Sequence, residues 1–374
     1  MNPPKNIRTL ILIDTARIGG PGKGILQLLD TVCHAQHSIQ VATFQSARHK
    51  SSEFIQELEK RGHTPIVLYE RSRFDTLPIK KFREVLLSGK YDIVQSHGYK
   101  AHLYARIARI RVPIIWIAVL NGWTAENLQV RGYHLLDRLN IPYADNIVAV
   151  SRELGDYARR VAKDIPINVI PNAVEYKESA IQHQGNGCRN FRLGIIGRLS
   201  HEKGHRLLFQ ALKSLNRFPF QFFLDVVGEG GCYDELLGMV RHFGLEKRVR
   251  FLGYQKNLDV IYRSLNLVVM PSLHEGSPNV LLEAMSHGVP VLGANISSLS
   301  SIIRNRENGF LFEAGNVDNL SDELRFISTV PSDRLRCISL NARDQIRRDF
   351  APSMRTKRFT DLYQRLVYSD SNEK

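Results

Sequence analysis

The sequence predicts an α/β protein built from two doubly wound, parallel-sheet domains in series. Three observations predict it. Short apolar runs alternate with helical runs of about ten to fifteen residues, the pattern of parallel strands joined by crossover helices. The alternation starts twice, at TLILIDTA (9–16) and again at FRLGIIG (191–197). The 374 residues suit two domains of about 150–200 residues better than a single core.

TLILIDTA is a compact apolar strand, followed by a glycine-rich turn and an amphipathic run from Gly24 to about His34. IQVATF (39–44) is the next strand, and SSEFIQELEKRG (51–62) is a helix ended by Gly62. TPIVLYE (64–70), YDIVQSHG (91–98), VPIIWIAVL (112–120), NIVAVS (146–151) and INVIPN (167–172) complete a first domain over 1–175. YKESAIQHQGNGCRN (176–190) is polar, poor in branched apolar residues and carries two glycines, which reads as a linker. The second domain, 191–350, opens with FRLGIIG and the helix GHRLLFQALKSLN (204–216). Strands QFFLDVVG (221–228), RVRFLG (248–253), NLVVMP (266–271), VPVLG (289–293) and NGFLF (308–312) follow, with a helix near 232–244. Met354, Phe359, Leu362, Tyr363 and Leu366 recur at helical spacing, so 353–368 is expected to be a docking helix with no part in the chemistry.

Lys plus Arg exceed Asp plus Glu by 51 to 37, a formal charge of +14 that attracts anionic partners. The excess is densest around Arg71, Arg73, Lys80, Lys81, Arg83 and Lys90. A solvated basic face and contact with an anionic membrane or phosphorylated acceptor both fit it. Basic and aromatic residues do not interleave as in nucleic-acid-binding surfaces, so no nucleic acid is expected. Cys33, Cys188, Cys232 and Cys337 form no CxxC pair, which argues against a disulfide framework or structural zinc and suits a reduced, cytoplasmic setting. No run approaches the roughly 18 apolar residues that span a bilayer, so any membrane contact should be peripheral. LILI (10–13), followed at once by Asp14, reads as a strand and not as a signal segment.

Three segments could carry chemistry. GGPGKG (19–24) fails the Walker A pattern, since Lys23 is followed by Gly24, and fails GxGxxG spacing. It remains either a tight turn or a phosphate contact at a helix start. GRLSHEKG (197–204) places Arg198 and Lys203 beside a strand end, where they could steady a departing diphosphate or form surface salt bridges. LHEGSPNVLLEAMSHGVPVLG (273–293) follows an apolar strand. Glu275 lies in its turn, Gly276, Ser277, Pro278, Asn279 and Val280 would open a helix, and Glu283 sits eight positions on in an apolar run. A carboxylate there either meets a partner or points to solvent.

EGSPNVLLEAMSHGVPV (275–291) closely resembles the signature of the retaining glycosyltransferases of family 4, of the bacterial surface-polysaccharide type. GRLSHEKG, VVGEG (226–230), FLGY (251–254), VIPNAV (169–174) and the Gly19–Gly20 turn extend the likeness over nearly the whole chain. The resemblance implies the GT-B fold, two Rossmann-like domains facing across a cleft, with the last helix crossing back to the first. It implies that Glu283 accepts the donor ribose hydroxyls, that Glu275 meets the transferred sugar, and that Arg198 and Lys203 grip the diphosphate. The backbone of Gly276–Val280 would hold sugar and phosphates, the base would lie near Gly228, Glu229 and Tyr254, and Gly20 would approach the diphosphate. The expected donor is a nucleoside-diphosphate sugar, UDP-linked by preference, with no metal or other cofactor. The expected acceptor is a lipid-linked glycan or a polysaccharide, met in the cytoplasm or at the inner face of the cytoplasmic membrane. Two positions depart from the family. Asn121-Gly122 stands where a histidine-glycine pair is common, leaving His97 as the stronger catalytic candidate and Asn121 as a sugar or acceptor contact. Ala173 replaces a common glycine. Rival readings are a GT-B epimerase or phosphorylase, a non-catalytic sugar-nucleotide sensor, and a nucleic-acid-binding protein.

Overall fold

A computed structural model describes residues 6–46, 51–71, 75–110, 112–122, 128–177, 191–215 and 221–369, with backbone alone at 128–131, 133, 134 and 369. Arg73, Cys188 and residues 178–190 of the polar segment lie outside it. The chain divides into two compact units, residues 1–173 with 352–374, and residues 174–351.

In unit 1, β1 (Ile7–Ile13), α1 (Gly20–Thr31), β2 (His37–Ser46), α2 (Glu53–Lys60), β3 (Ile66–Glu70), α3 (Leu77–Gly89) and β4 (Ile93–His97) run in order. They continue as α4 (Tyr99–Ala108), β5 (Ile115–Leu120), α5 (Leu128–Asn140), β6 (Asn146–Ala149), α6 (Arg152–Val161) and β7 (Ile167–Val169). The strands form a parallel sheet in the order β3-β2-β1-β4-β5-β6-β7. Every expected strand is present. Leu10, Ile11 and Leu12 are all buried, as in a strand covered on both faces, which is why its sequence is continuously apolar and does not alternate.

The glycine-rich segment differs from expectation. GGPGKG is not a turn before the helix: Gly20 to Gly24 form the first turn of α1 itself, and Lys23 N donates to Gly19 O at 2.9 Å. Pro21 sits at the helix start, where a missing N–H breaks no hydrogen bond.

Unit 2 contains β8 (Phe191–Ile196), α7 (His205–Leu215), β9 (Phe222–Val227), α8 (Tyr233–His242), β10 (Val249–Gly253), α9 (Asp259–Ser264) and β11 (Leu267–Met270). Then come α10 (Asn279–Ser286), β12 (Val291–Ala294), α11 (Ser297–Ser300), β13 (Phe310–Phe312), α12 (Val317–Thr329) and α13 (Ser332–Asp349). Its parallel sheet has the order β10-β9-β8-β11-β12-β13. Helices α9, α11, α12 and α13 were not anticipated. In α13, Leu335, Ile338, Ala342 and Ile346 repeat at helical spacing and are buried, yet arginines dominate between them and mask the stripe.

The last helix, α14 (Pro352–Ser369), belongs to unit 1. Phe359, Leu362 and Tyr363 enter a core cluster with Ile11 and Ile13 of β1 and Ile25 and Leu29 of α1. Arg355, buried beside them, donates to Gly24 O at 2.9 Å.

In each sheet the winding direction reverses at one pair of neighbouring strands, β1 with β4 and β8 with β11. Open α/β sheets bind ligands beyond the carboxyl ends of such strand pairs.

Candidate active site

In unit 2 the residues singled out by sequence gather around the β8/β11 reversal. The chain leaves β8 through Gly197 and Arg198 and β9 through Gly228. Gly228 adopts φ +134°, and a Cβ there would lie 1.9 Å from the Gly197 carbonyl oxygen. Its N–H donates to Gly253 O at 2.9 Å. Only glycine permits this approach, which lays the Gly228–Glu229 turn beside Leu252–Tyr254. Tyr254 projects from that edge, 70% exposed.

Lys203 ends a short 3-10 turn over His201–Lys203, stopped by Gly204 at φ +70°. A Cβ on Gly204 would meet the Pro271 carbonyl oxygen at 2.0 Å, so glycine lets this turn press on the loop leaving β11. Leu273 N closes the junction on Glu202 O at 2.8 Å. Lys203 Nζ thereby lies 2.6 Å from Glu275 Oε1, which also accepts from Ser272 Oγ at 2.9 Å. Glu275 is only 5% exposed, and a carboxylate so buried needs such donors. Burial opposes the charge of neighbouring Glu202. The Ser200 hydroxyl, the backbone and the cations Arg198 and Lys203 outweigh it, so this carboxyl titrates below its usual range. Of the two readings of Lys203, the ion pair is realised, but with the candidate catalytic carboxylate as its partner.

Gly276, Ser277, Pro278, Asn279 and Val280 lead into α10. Its first turn has no side-chain cap from Pro278, and Asn279 N–H donates to Ser277 O at 2.9 Å. Glu283 does not simply face solvent. Its Oε2 accepts from Tyr262 OH at 3.2 Å, and the Tyr262 ring stacks on His287 with centroids 4.7 Å apart. Burial, then the Glu283 charge, pushes the Tyr262 hydroxyl well above its ordinary pKa, which keeps it a donor. His287 anchors this support between Asp259 Oδ1 at 3.0 Å and Glu283 O at 2.8 Å.

In unit 1 the β1/β4 reversal opens on a cavity of about 210 Å³. Asp14, His97, His102, Asn121 and Asp137 line it, with Pro21 of the α1 first turn. Gly20 begins that turn. His97 and Asn121 meet as ring Nδ1 and amide Nδ2, 3.2 Å apart, and Gln95 Nε2 lies 2.8 Å from His97 Nε2. Gln95 in turn accepts from Tyr363 OH at 2.6 Å, so the C-terminal helix, expected to take no part in the chemistry, reaches the candidate residue through one amide. A neutral imidazole offers one donor and one acceptor, so one of the two amides must present oxygen to the ring. Asn121 Nδ2 also donates to Val119 O at 3.3 Å, which holds it as a donor, and the Tyr363 hydroxyl can donate or accept, so Gln95 is the amide free to turn its oxygen to the ring. Burial, then the Arg355 and His102 charges, holds His97 well below the ordinary histidine range, and burial lowers His102 to about 3. Both rings are neutral near pH 7, and His97 serves as a hydrogen-bonding wall.

Sequence reasoning missed Gln95, His102, Asp137 and Lys100. Gln95 and Ser96 were visible as polar breaks in an apolar strand, a signal that a buried strand needs an internal partner. Lys100, 1% exposed, pairs with Glu70 and with Asp14 at 3.4 Å across unrelated elements, which no local pattern announces. On unit 2, His201, Cys232 and Glu235 bring one ligand atom each within 4.8 Å of one another, a grouping that sequence spacing hid. Glu235 is already paired with Arg206 at 3.0 Å. No helix among the described residues is long and apolar enough to cross a membrane.

Known proteins share this fold. Residues 18–178 match the family described as Glycosyltransferase Family 4, and residues 178–344 match Glycosyl transferases group 1. The UDP-Gal:α-D-GlcNAc-diphosphoundecaprenol α-1,3-galactosyltransferase of Escherichia coli is 26% identical over 301 residues, covering 75% of this chain and 77% of its own. The N-acetyl-α-D-glucosaminyl L-malate synthase of Bacillus anthracis is 28% identical over 324 residues, covering 82% and 83%. Anabaena HepE, solved with UDP, superposes with TM-score 0.78 over 96% of this chain and 100% of its own, at 20% identity, a likeness of fold. With both units matched in order and two parallel sheets of this winding, the chain is a glycosyltransferase of the GT-B fold, joining a family 4 first unit to a group 1 second unit.

Proposed function

We propose that this enzyme moves a hexose or N-acetylhexosamine, with its anomeric configuration retained, from a UDP-sugar to a lipid-linked glycan acceptor in cell-surface glycan synthesis. The observation that carries the reading is the placement of Glu275 against Lys203 and of Glu283 against Tyr262 at the two ends of one segment that contains the start of helix α10. Glu283 takes the ribose hydroxyls, Glu275 a hydroxyl of the transferred sugar, and the N–H groups from Gly276 to Val280 the sugar and phosphates. Gly228, Glu229 and Tyr254 border the base. Unit 2 thus binds the donor and unit 1, with its 352–369 helix, the acceptor.

The bond that breaks joins the anomeric carbon to the diphosphate oxygen, and the acceptor oxygen bonds to that carbon from the same face. The acceptor proton passes to the departing phosphate oxygen, so the step needs no carboxylate nucleophile. Arg198 and Lys203 meet the charge that develops on the diphosphate, and no metal ion is called for. His97 and Asn121 position the acceptor hydroxyl. The two curated relatives support the substrates: one is named for UDP-galactose and a diphosphoundecaprenol-linked sugar, the other for an N-acetylglucosaminyl product. The excess of positive charge suits work at the anionic inner face of the cytoplasmic membrane.

Isothermal titration with UDP-glucose, UDP-galactose, UDP-N-acetylglucosamine, GDP-mannose and the free diphosphates tests this. Binding of one UDP-sugar that Glu283→Ala weakens about 10- to 100-fold is expected. Binding of none, or binding indifferent to Glu283→Ala, refutes the site.

A further inference from the structure

Two loops leave the sheet of unit 2 side by side. The exit from β8 runs through Leu199 into the His201–Lys203 turn, and the exit from β9 runs through Gly230 to Cys232 at the head of α8. Backbone bonds join them: Leu199 N donates to Glu229 O at 2.9 Å, and Cys232 N donates to Leu199 O at 3.1 Å. Gly230 permits the approach, since a Cβ there would lie 2.3 Å from Leu199 O. On this seam a ring nitrogen of His201, the Cys232 sulfur and a carboxylate oxygen of Glu235 all lie within 4.8 Å of one another.

Imidazole, thiolate and carboxylate together are the donor set of a borderline-soft dication, whereas magnesium and calcium take oxygen ligands. Zinc holds such atoms at about 2.0–2.3 Å in a tetrahedron, which sets them about 3.3–3.6 Å apart. The three side chains therefore need to close by only about 1 Å. They are free to do so, since His201 and Glu235 are exposed and Cys232 is half-buried, while the backbone beneath them is fixed. The Cys232 thiol caps no N–H of α8 and is in no disulfide. Glu235 meets Arg206 at 3.0 Å, but both are exposed, so this surface pair is a weak competitor. A carboxylate also keeps its second oxygen for an ion.

We propose that His201, Cys232 and Glu235 form a site for zinc or another thiophilic divalent cation, with water as the fourth ligand. Cys232 enters as the thiolate, and its proton passes to solvent. The ion takes no part in sugar transfer. It ties the β8 exit to the head of α8. His201 and Lys203 bound the same three-residue turn, so the ion fastens the segment that presents Lys203 to Glu275. An ion that binds the folded chain alone also stabilises it by mass action. The site is read from unit 2 alone and does not depend on which donor or acceptor the enzyme uses.

The test is titration of zinc into the full reduced chain by calorimetry, with cobalt(II) followed by absorbance. One zinc per chain should bind, and the melting temperature should rise with zinc concentration. Cobalt should give a sulfur-to-metal charge-transfer band in the near ultraviolet and the visible bands of a tetrahedral site. Cys232→Ser should remove the charge-transfer band and weaken zinc binding at least about 10- to 100-fold, the loss that even an outer-shell change produces. His201→Gln should weaken it to the same degree, while Cys33→Ser and Cys337→Ser leave it unchanged. Without zinc, both site variants should melt as the wild type does, which separates a lost ligand from a lost fold. Absence of a one-to-one zinc site, a charge-transfer band that survives Cys232→Ser, or equal binding of magnesium overturns the proposal.

Discussion

Lys203 and Glu275 stand 72 residues apart in sequence and 2.6 Å apart in space, with Ser272 donating to the same carboxylate oxygen. The pair can serve structure, chemistry or both, and substitutions separate these. Glu275→Gln keeps the shape and an acceptor for Ser272, so stability should change little, while sugar transfer should fall about 100- to 1000-fold. Lys203→Met strands a buried carboxylate and should cost about 2–4 kcal/mol in a urea melt. Combining the two should restore most of that stability without activity. An active Glu275→Gln enzyme would mark the pair as structural alone.

Glu283 and Tyr262 form a second pair whose donor is held protonated. Glu283→Ala should weaken UDP binding about 10- to 100-fold, the loss of charged hydrogen bonds worth about 1.5–3 kcal/mol. Tyr262→Phe, which removes only the supporting hydroxyl, should weaken it by less than about tenfold. Titration calorimetry measures both, and equal losses would move the ligand contact to Tyr262.

Acid should unfold the protein through its buried histidines. His102 is lowered to about 3, His205 to about 4, and His97 lies well below its ordinary value. Each binds its proton in the unfolded chain near 6.5 but not in the folded one, so the unfolded state gains protons as pH falls. Stability contributed by these groups is complete above pH 6.5 and declines below it, by about 1.4 kcal/mol per pH unit for each group until its folded pKa is reached. Denaturant melts from pH 7.5 to 4.5 should show this slope, and His102→Asn should flatten it by about one proton.

Gly228→Ala should damage unit 2 more than a surface change can. The new methyl would meet a carbonyl oxygen at 1.9 Å and force a φ of +134° on a residue with a side chain. A loss of about 3 kcal/mol or more is expected in thermal melts, together with weakened UDP binding. Gly231→Ala, where no atom lies within 4 Å of the added Cβ, is the matched control and should change little.

Much of this architecture is legible in sequence because a strand buried on both faces has to be continuously apolar, as LILI and LVVM are. Glu275 and Glu283 stood out through the resemblance of EGSPNVLLEAMSHGVPV to the family signature, while the residues alone left Glu283 open between a partner and solvent. The partners themselves were not legible. Ser272, Tyr262 and His287 are ordinary residues until the β8/β11 neighbourhood assembles them. Gln95 and Tyr363 lie 268 residues apart, and only the return of the last helix joins them. Helix α13 escaped notice because arginines outnumber its apolar stripe, and the start of α1 because three glycines within one helical turn run against helix propensity.

That return also shapes how the protein is made. Unit 2 occupies 174–351, between the main part of unit 1 and the helix that completes it. During synthesis, β1 to β7 leave the ribosome long before Phe359, Leu362 and Tyr363 exist, so Ile11, Ile13, Ile25 and Leu29 lack part of their cover until α14 is translated. Unit 2 meets no such delay, since its residues run without interruption and all precede α14. Nascent unit 1 thus waits, with apolar surface open, for a segment encoded at the far side of another domain. A ribosomal stall between codons 351 and 369 would leave it a substrate for chaperones or proteases.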